Sequence, residues 1–187
     1  MLLTKQLLQK VFEKSNTFIK DRRHFHENPE LSGNEYQTKK YILSRLQEIG
    51  ISDIKTFKNL GIVANIHGAK SGKVVGIRAD MDALPISEEN QVPYASKNKG
   101  VMHACGHDAH MAILLGIAEV LHENKNQIEG IVKLIFQPSE EVLPGGAVQM
   151  INEGVLENPK VNYMLALHVL PEMNVGKVGF RKGIYMA

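Results

Sequence analysis

The chain has 187 residues, which is enough for one domain with a sizeable hydrophobic core. With 43% hydrophobic and 22% charged residues, and a mean hydropathy of -0.17, its composition argues against disorder and against membrane residence. The net charge of +2, without runs of one sign, offers no surface for nucleic acid or an anionic membrane. The single cysteine excludes an internal disulfide framework, predicts a reducing cytoplasm, and beside eight histidines leaves metal binding as an alternative use for the thiol.

The first fifty residues predict two amphipathic helices. Apolar residues recur roughly every 3.6 positions from Thr4 to about Glu27, and Asn28-Pro29 ends the pattern. Charged residues interrupt every apolar run near the N-terminus, so neither a signal-peptide core nor a membrane span is predicted there. The helical pattern returns from Asn34 to Ile49, where Gly50 supplies a C-terminal stop.

Short β-branched segments follow. Residues 62–66 and 73–77 predict two strands that pair like a hairpin across a glycine-rich turn. Residues 130–136 and 163–169 are unbroken apolar stretches, typical of buried strands covered on both faces. Helical patterns lie between them, at about Ala109–Glu123 and Ala147–Glu153. Helices that alternate with buried strands predict an α/β fold, here a three-layer α/β/α domain with a mixed sheet.

The densest cluster of reactive side chains is His103-Ala104-Cys105-Gly106-His107-Asp108-Ala109-His110, directly before the third predicted helix, for which Asp108 suits the N-cap. In an extended segment residues i and i+2 point the same way, so Cys105 and His107 can face one metal, or the sulfur can bridge two. The alternative is a buried, inert cysteine beside surface histidines.

Two adjacent carboxylates, Glu140 and Glu141, follow the strand that ends near Phe136. Open α/β sheets bind ligands just beyond the carboxyl ends of their strands. One carboxylate can therefore bind metal while its neighbour reaches a metal-bound water. A solvated surface pair is the competing interpretation.

Two further strand ends carry candidates. His168 lies at the end of the last predicted buried strand and is either a metal ligand or a core histidine bonded to a backbone carbonyl. Asp80 and Asp82 follow the strand that begins at Lys73, and they either orient a ligand imidazole or form a turn before Pro85. Four such signals at strand ends and helix starts favour one shared site over coincidence.

The same segments resemble one family, the metal-dependent amidohydrolases of the aminoacylase, hippurate hydrolase and auxin-conjugate hydrolase group, within the aminoacylase and carboxypeptidase superfamily. The resemblance spans nearly the whole chain. The motifs that carry it are Arg23-His24-Phe25-His26-Glu27-Asn28-Pro29-Glu30-Leu31, Arg78-Ala79-Asp80-Met81-Asp82-Ala83-Leu84-Pro85, Met102-His103-Ala104-Cys105-Gly106-His107-Asp108, Ile135-Phe136-Gln137-Pro138-Ser139-Glu140-Glu141 and Gly145-Gly146-Ala147.

The resemblance implies a zinc-peptidase-like catalytic domain in which Glu140 is the general base and four residues bind two divalent ions, Mn²⁺, Zn²⁺ or Co²⁺. The implied ligands are Cys105, His107, Glu141 and His168. The implied reaction is hydrolysis of the amide bond in N-acyl amino acids or dipeptide-like conjugates by a metal-activated water. The full-length form would be a homodimer or larger.

The resemblance also implies that residues 1–187 are the N-terminal part of the catalytic domain, incomplete at the C-terminus. An inserted dimerisation domain, which closes over the substrate, and a C-terminal catalytic segment with a further histidine ligand would then be absent. Two other functions remain open: an inactive metal-binding fragment, and a hydrolase in which Cys105 is the nucleophile with His107 or His168 as its base.

Overall fold

The computed structural model describes residues 2–180, except for the side chains of residues 2 and 3. A single sheet of five strands runs through this part of the chain. The strands lie in the spatial order β1-β2-β4-β3-β5. Antiparallel pairs join β1 to β2 and β2 to β4, whereas β3 is parallel to both β4 and β5, so the sheet is mixed as predicted. Their bounds are β1 (Ile54–Thr56), β2 (Ile62–His67), β3 (Lys70–Asp80), β4 (Glu129–Gln137) and β5 (Tyr163–Ala166).

The α-helices of the described residues match the predicted segments to within two residues at each end. At the end of α2, Gly50 adopts the left-handed conformation with φ of 92°, and its N–H bonds to carbonyls of the last turn, which confirms the predicted stop. Within residues 2–180, none of the helices is both long and apolar enough to cross a membrane. The bounds are α1 (Leu2–Glu27), α2 (Tyr36–Ile49), α3 (His107–Glu123) and α4 (Gly146–Asn152).

Helices cover both faces of the sheet. Because side chains alternate along a strand, Ile62 and Ala64 of β2 face a core shared with α1, α2 and α3, while Val63 faces a smaller core with Met150 of α4. β4 divides in the same way: Leu134 joins the larger core and its neighbour joins the smaller one. This arrangement confirms the three-layer α/β/α architecture.

The predicted hairpin between β2 and β3 is wrong. Both strands form, but β4 lies between them: Phe136 of β4 pairs with Ile62 on one side and with Ala79 on the other. The turn after β2 crosses the start of β4, where the Gly68 N–H donates to the Gly130 carbonyl at 2.9 Å. In the central position β4 has a paired strand on each edge, and its apolar residues reach the cores on both faces of the sheet, as expected for an unbroken apolar strand.

The predicted burial of the last strand is also wrong. All four residues of β5 are exposed, and Tyr163 and Leu165 are exposed to 60% and 57%. β5 pairs with β3 along one edge, and within residues 2–180 its other edge has no strand partner. The apolar sequence predicted the strand, but it carries no information on what covers that strand.

Candidate metal centre

The predicted site residues meet at one edge of the sheet. β3, β4 and β5 run parallel, so their carboxyl ends lie side by side, and α3 begins at the same edge. Asp82 follows β3, Glu140 and Glu141 follow β4, and His168 follows β5. His168 is placed as predicted relative to its strand, although that strand is exposed rather than buried.

A tight turn, rather than the expected extended segment, brings Cys105 to this edge. α3 begins at His107, so Asp108 lies in its first turn and is not the N-cap; that position belongs to Gly106, with φ of 87°. A side chain at Gly106 would also collide with Val169, the residue that follows His168. Glycine therefore permits the close approach that leaves Cys105 Sγ 3.4 Å from His168 Nε2.

His107 is fully buried and oriented by Asp82. Its Nδ1 lies 2.8 Å from the Asp82 carbonyl oxygen and 3.5 Å from Oδ1 of the same residue. Since Nδ1–H donates to that carbonyl, the lone pair of the neutral ring is on Nε2, which points towards the carboxylates. His107 Nε2 lies 3.7 Å from Glu141 Oε1, 4.0 Å from Glu140 Oε2 and 3.6 Å from Asp80 Oδ2.

Asp82 is held in place by three elements. Its Oδ2 accepts hydrogen bonds from Ser32 Oγ at 2.6 Å and from the Glu141 N–H at 3.0 Å. Burial raises the pKa of Asp82, but hydrogen bonds from His107, Ser32 and the main chain of Glu141 outweigh it and hold that pKa well below its usual range. The contact with His107 favours the orienting interpretation of Asp82 over that of a turn former.

Two buried polar atoms at this edge of the sheet indicate whether a metal ion fits between the side chains. His107 Nε2 and Glu141 Oε1 are inaccessible to solvent, and neither has a hydrogen-bond partner among the described residues. Buried polar atoms are normally satisfied. Two ligands of one zinc ion each lie about 2 Å from it, so their 3.7 Å separation is too long for a hydrogen bond yet suits an ion between them. These residues fit a divalent cation.

Three overlapping groups of ligand atoms, each within 4.8 Å of one another, share His107. One pairs it with Cys105 and His168, the second with Glu140 and Glu141, and the third with two residues to which the sequence gave no ligand role, Asp80 and His110. Because all three groups include His107, they form one connected cluster of donor atoms at this edge of the sheet.

A thiolate at Cys105 would require a cation nearby. Burial raises the pKa of Cys105 to about 12, with further contributions from the hydrogen bond and negative charge of Glu141. A bound dication stabilises a thiolate and reverses this effect.

Sequence reasoning gave no role to His110 or Arg78, which form with Asp80 a hydrogen-bonded chain that connects the strand ends. His110 Nδ1 donates to Asp80 Oδ1 at 2.6 Å, and its Nε2 accepts the Val169 N–H at 3.0 Å. Arg78 bonds to Asp80 at 2.7 Å and to Gln137 at 2.9 Å. The spacing of His107 and His110, three residues apart on one helix, was the available signal, because such residues share a helix face.

The domain has three α/β/α layers, and its thiol, imidazole and carboxylate groups converge beyond the parallel strands. This combination is typical of metal-binding α/β hydrolases. The chain belongs to peptidase family M20/M25/M40, whose family model matches residues 76–183.

Relatives similar in sequence to this chain are named as amidohydrolases and deacetylases. The chain is 40% identical over 186 residues to an N-acyl-L-amino acid amidohydrolase of Geobacillus stearothermophilus, covering 99% of this chain and 50% of that protein. It is 45% identical over 166 residues to an N-acetyl-L-cysteine deacetylase of Bacillus subtilis, covering 89% and 39%. The chain thus spans about half the length of the relatives it matches, and these relatives are hydrolases.

Solved structures share the fold. A structure from methicillin-resistant Staphylococcus aureus superposes with a TM-score of 0.90 at 46% identity, covering 95% of this chain and 47% of that one. The YXEP protein of Bacillus subtilis, described as a dinuclear metal binding peptidase, gives 0.85 at 41% identity, covering 90% and 47%.

Proposed function

We propose that this chain carries the metal-binding part of a hydrolase that cleaves the amide bond of N-acyl amino acids or related peptide-like conjugates. The observation that carries the proposal is the buried pair of His107 Nε2 and Glu141 Oε1, neither of which has a hydrogen-bond partner within residues 2–180. His107 is also shared by the three groups of ligand atoms. The substrate class follows from the relatives, which include an amidohydrolase of N-acyl amino acids and a deacetylase.

Two divalent ions would be held by Cys105, His107, Glu141 and His168. Thiolate and imidazole suit Zn²⁺ or Co²⁺, and the carboxylate oxygen also accommodates Mn²⁺. When bound, such ions supply Lewis acidity towards the amide carbonyl and lower the pKa of a bound water.

Glu140 would be the general base. Its side chain is 41% exposed, and Oε2 lies 4.0 Å from His107 Nε2, so it borders the ligand cluster while it stays open to solvent and substrate. In this role Glu140 accepts a proton from the attacking water and returns it to the leaving amine. Asp82 keeps Nε2 of His107 directed at the cluster through its contacts to Nδ1.

The length of the relatives supports a proposal for the domains. Residues 1–187 would form the N-terminal part of the catalytic domain, and a dimerisation domain and the remaining catalytic segment would lie in the half of the relatives that this chain does not match. The full-length protein would act as a homodimer or larger assembly in the cytoplasm.

A cysteine nucleophile is the second candidate, because Cys105 Sγ lies 3.4 Å from a possible base, His168 Nε2. The pKa of Cys105, raised to about 12 by burial and Glu141, opposes it, since the thiolate is the nucleophile. Removal of metal by chelation distinguishes the two candidates, because a metal-dependent hydrolase would lose its activity and a cysteine hydrolase would keep it.

The test uses the full-length gene product, a panel of N-acetyl and N-benzoyl amino acids, and chelation followed by addition of Mn²⁺, Zn²⁺ or Co²⁺. Glu140→Gln should lower kcat by about 100-fold or more, while the bound metal stays at its wild-type stoichiometry. Glu129→Gln, at an exposed residue paired with Lys70, is the matched control. Turnover that survives complete metal removal would contradict the proposal, and metal binding without turnover on any substrate would indicate a non-catalytic metal-binding protein.

A further inference from the structure

Glu35 occupies the N-cap position of α2, yet its side chain does not cap the helix. The side chains preferred at this position, those of Ser, Thr, Asp and Asn, accept hydrogen bonds from the first helical turn. In this protein Glu30 takes that role: its carboxylate accepts the Gln37 N–H at 3.1 Å and the Thr38 N–H at 2.8 Å. The carboxyl of Glu35 is therefore free to serve another part of the structure.

That part is the segment that leads into Glu140. Oε1 of Glu35 accepts the Ser139 N–H at 2.7 Å and lies 3.4 Å from Ser139 Oγ. Glu35 is fully buried, and burying a carboxyl group is costly unless specific partners compensate for lost water. The bond joins the start of α2 to the end of β4, across 104 residues of sequence.

The backbone conformation of Ser139 requires stabilising contacts. Its φ of 52° lies in the left-handed region, which residues with a Cβ rarely adopt. Such conformations persist where surrounding contacts fix them. The hydrogen bond from Ser139 N–H to Glu35 is one such contact, and the next residue is Glu140.

The segment is fixed on its other side as well. The Glu141 N–H donates to Asp82 Oδ2 at 3.0 Å. The two main-chain N–H groups that flank Glu140 are thus bound by buried carboxyl groups from separate elements, one at the start of α2 and one after β3. The main chain is therefore held on both sides of Glu140, whose side chain is 41% exposed.

We propose that Glu35 is a positioning residue for Glu140, which holds the main chain of Ser139 so that the carboxylate of Glu140 faces the ligand cluster. The assignment of Glu140 as the base rests on the proposed function. Glu35 acts as a hydrogen-bond acceptor rather than as a charge. Burial raises the pKa of the Glu35 carboxyl, so a neutral acceptor of the same shape should replace it.

The experiment compares Glu35→Ala and Glu35→Gln in the full-length protein, with Glu30→Ala as the matched control, since it removes a neighbouring carboxylate that caps α2 and does not contact Ser139. Four quantities are measured: amide hydrogen exchange of residues 139–141, bound metal, kcat and KM. Glu35→Ala should speed exchange in this segment and lower kcat by about 10- to 100-fold, because small misplacements of a catalytic group carry losses of that size. KM and metal stoichiometry should stay within about twofold of wild type, and Glu35→Gln should restore both exchange and kcat.

Glu30→Ala should reduce overall stability while leaving exchange at residues 139–141 and kcat as in wild type. If Glu35→Ala behaves like Glu30→Ala in all of these measurements, the proposal is overturned. If Glu35→Ala fails to fold, Glu35→Asp, whose shorter side chain draws the acceptor away from Ser139, should show the same local loss of protection. Absence of turnover in the wild type would contradict the proposed function alone, since the exchange measurement needs no substrate.

Discussion

Nε2 of His107 and Oε1 of Glu141 lie 3.7 Å apart at the junction of α3 with the end of β4, and both are buried without a hydrogen-bond partner among the described residues. Burying two polar atoms without partners is unfavourable unless a bound group between them interacts with both. A divalent cation satisfies both atoms at once. Metal affinity and thiol chemistry should therefore both respond to residues around this pair.

Metal affinity should depend on Asp82 although it is not one of the proposed ligands. Asp82→Ala removes the carboxylate next to His107 Nδ1 and the acceptor for the Glu141 N–H, so two proposed ligands lose their orientation. We expect metal to bind about 10- to 100-fold more weakly, measured by calorimetric titration of the metal-free protein. Asp53→Ala, at an exposed aspartate paired with His67, is the control. Equal affinities for both variants would count against this role of Asp82.

The thiol of Cys105 should react slowly in the metal-free protein. With a pKa raised to about 12, roughly one thiol in ten thousand is ionised at pH 8, and only the thiolate reacts. Glu141→Gln replaces the carboxylate that raises this pKa with a neutral amide, so modification by iodoacetamide should become faster and its pH profile should move to lower pH. Cys105 is the only cysteine, so the reagent reports on it alone. An unchanged profile in Glu141→Gln would contradict the proposed coupling.

Stability should depend on pH through His26, which is buried between two carboxylates. Its Nδ1 lies 2.7 Å from Asp108 and its Nε2 2.9 Å from Glu88, and the hydrogen bond to Asp108 is the main reason that its pKa is raised. A raised pKa in the folded state stabilises the protein fully below the unfolded value, about 6.5, and this contribution is lost as pH rises through the folded value.

The free energy of unfolding, measured with urea between pH 6 and pH 9, should therefore fall with rising pH more steeply in the wild type than in His26→Gln. His67→Gln, at an exposed pair with Asp53, should retain the wild-type slope because exposed ion pairs contribute little. Parallel curves for His26→Gln and the wild type would show that His26 does not titrate as argued.

Lys133 should stabilise the loop that leads into β5. This residue is 1% exposed, and its ammonium group donates to the carbonyls of Val155, Glu157 and Pro159 at 3.0, 3.0 and 2.7 Å. Lys133→Met keeps much of the side-chain volume but leaves these acceptors without their donor. We expect a loss of about 1–3 kcal/mol in the free energy of unfolding.

Lys55→Met provides the control for Lys133, because Lys55 is exposed and donates at 3.3 Å to the carbonyl of Glu153, just before the same loop. Urea unfolding of both variants makes the comparison. A loss for Lys133→Met no larger than that for Lys55→Met would show that the buried ammonium contributes little.

Local sequence patterns predicted most elements of the fold. The helical periods placed α1 and α2, and Gly50 supplied the stop that the left-handed conformation requires. The same reasoning misjudged the N-cap of α3, where Gly106 rather than Asp108 takes the position. Close approach to Val169 makes glycine necessary there, and that contact lies more than sixty residues away in sequence.

The sequence by itself determined most of the segments that become strands and helices, though not the short β1, and which side chains follow the strand ends, because both depend on neighbours within a few residues. It also indicated Cys105, His107, Glu140, Glu141 and His168 as one candidate site, whose roles remain proposals. Only the tertiary structure decided that β4 separates β2 from β3, that β5 is exposed, and that Glu35 binds the main chain next to Glu140. The physical reason is that strand order, burial and long-range hydrogen bonds depend on segments distant in sequence, to which a local pattern is insensitive.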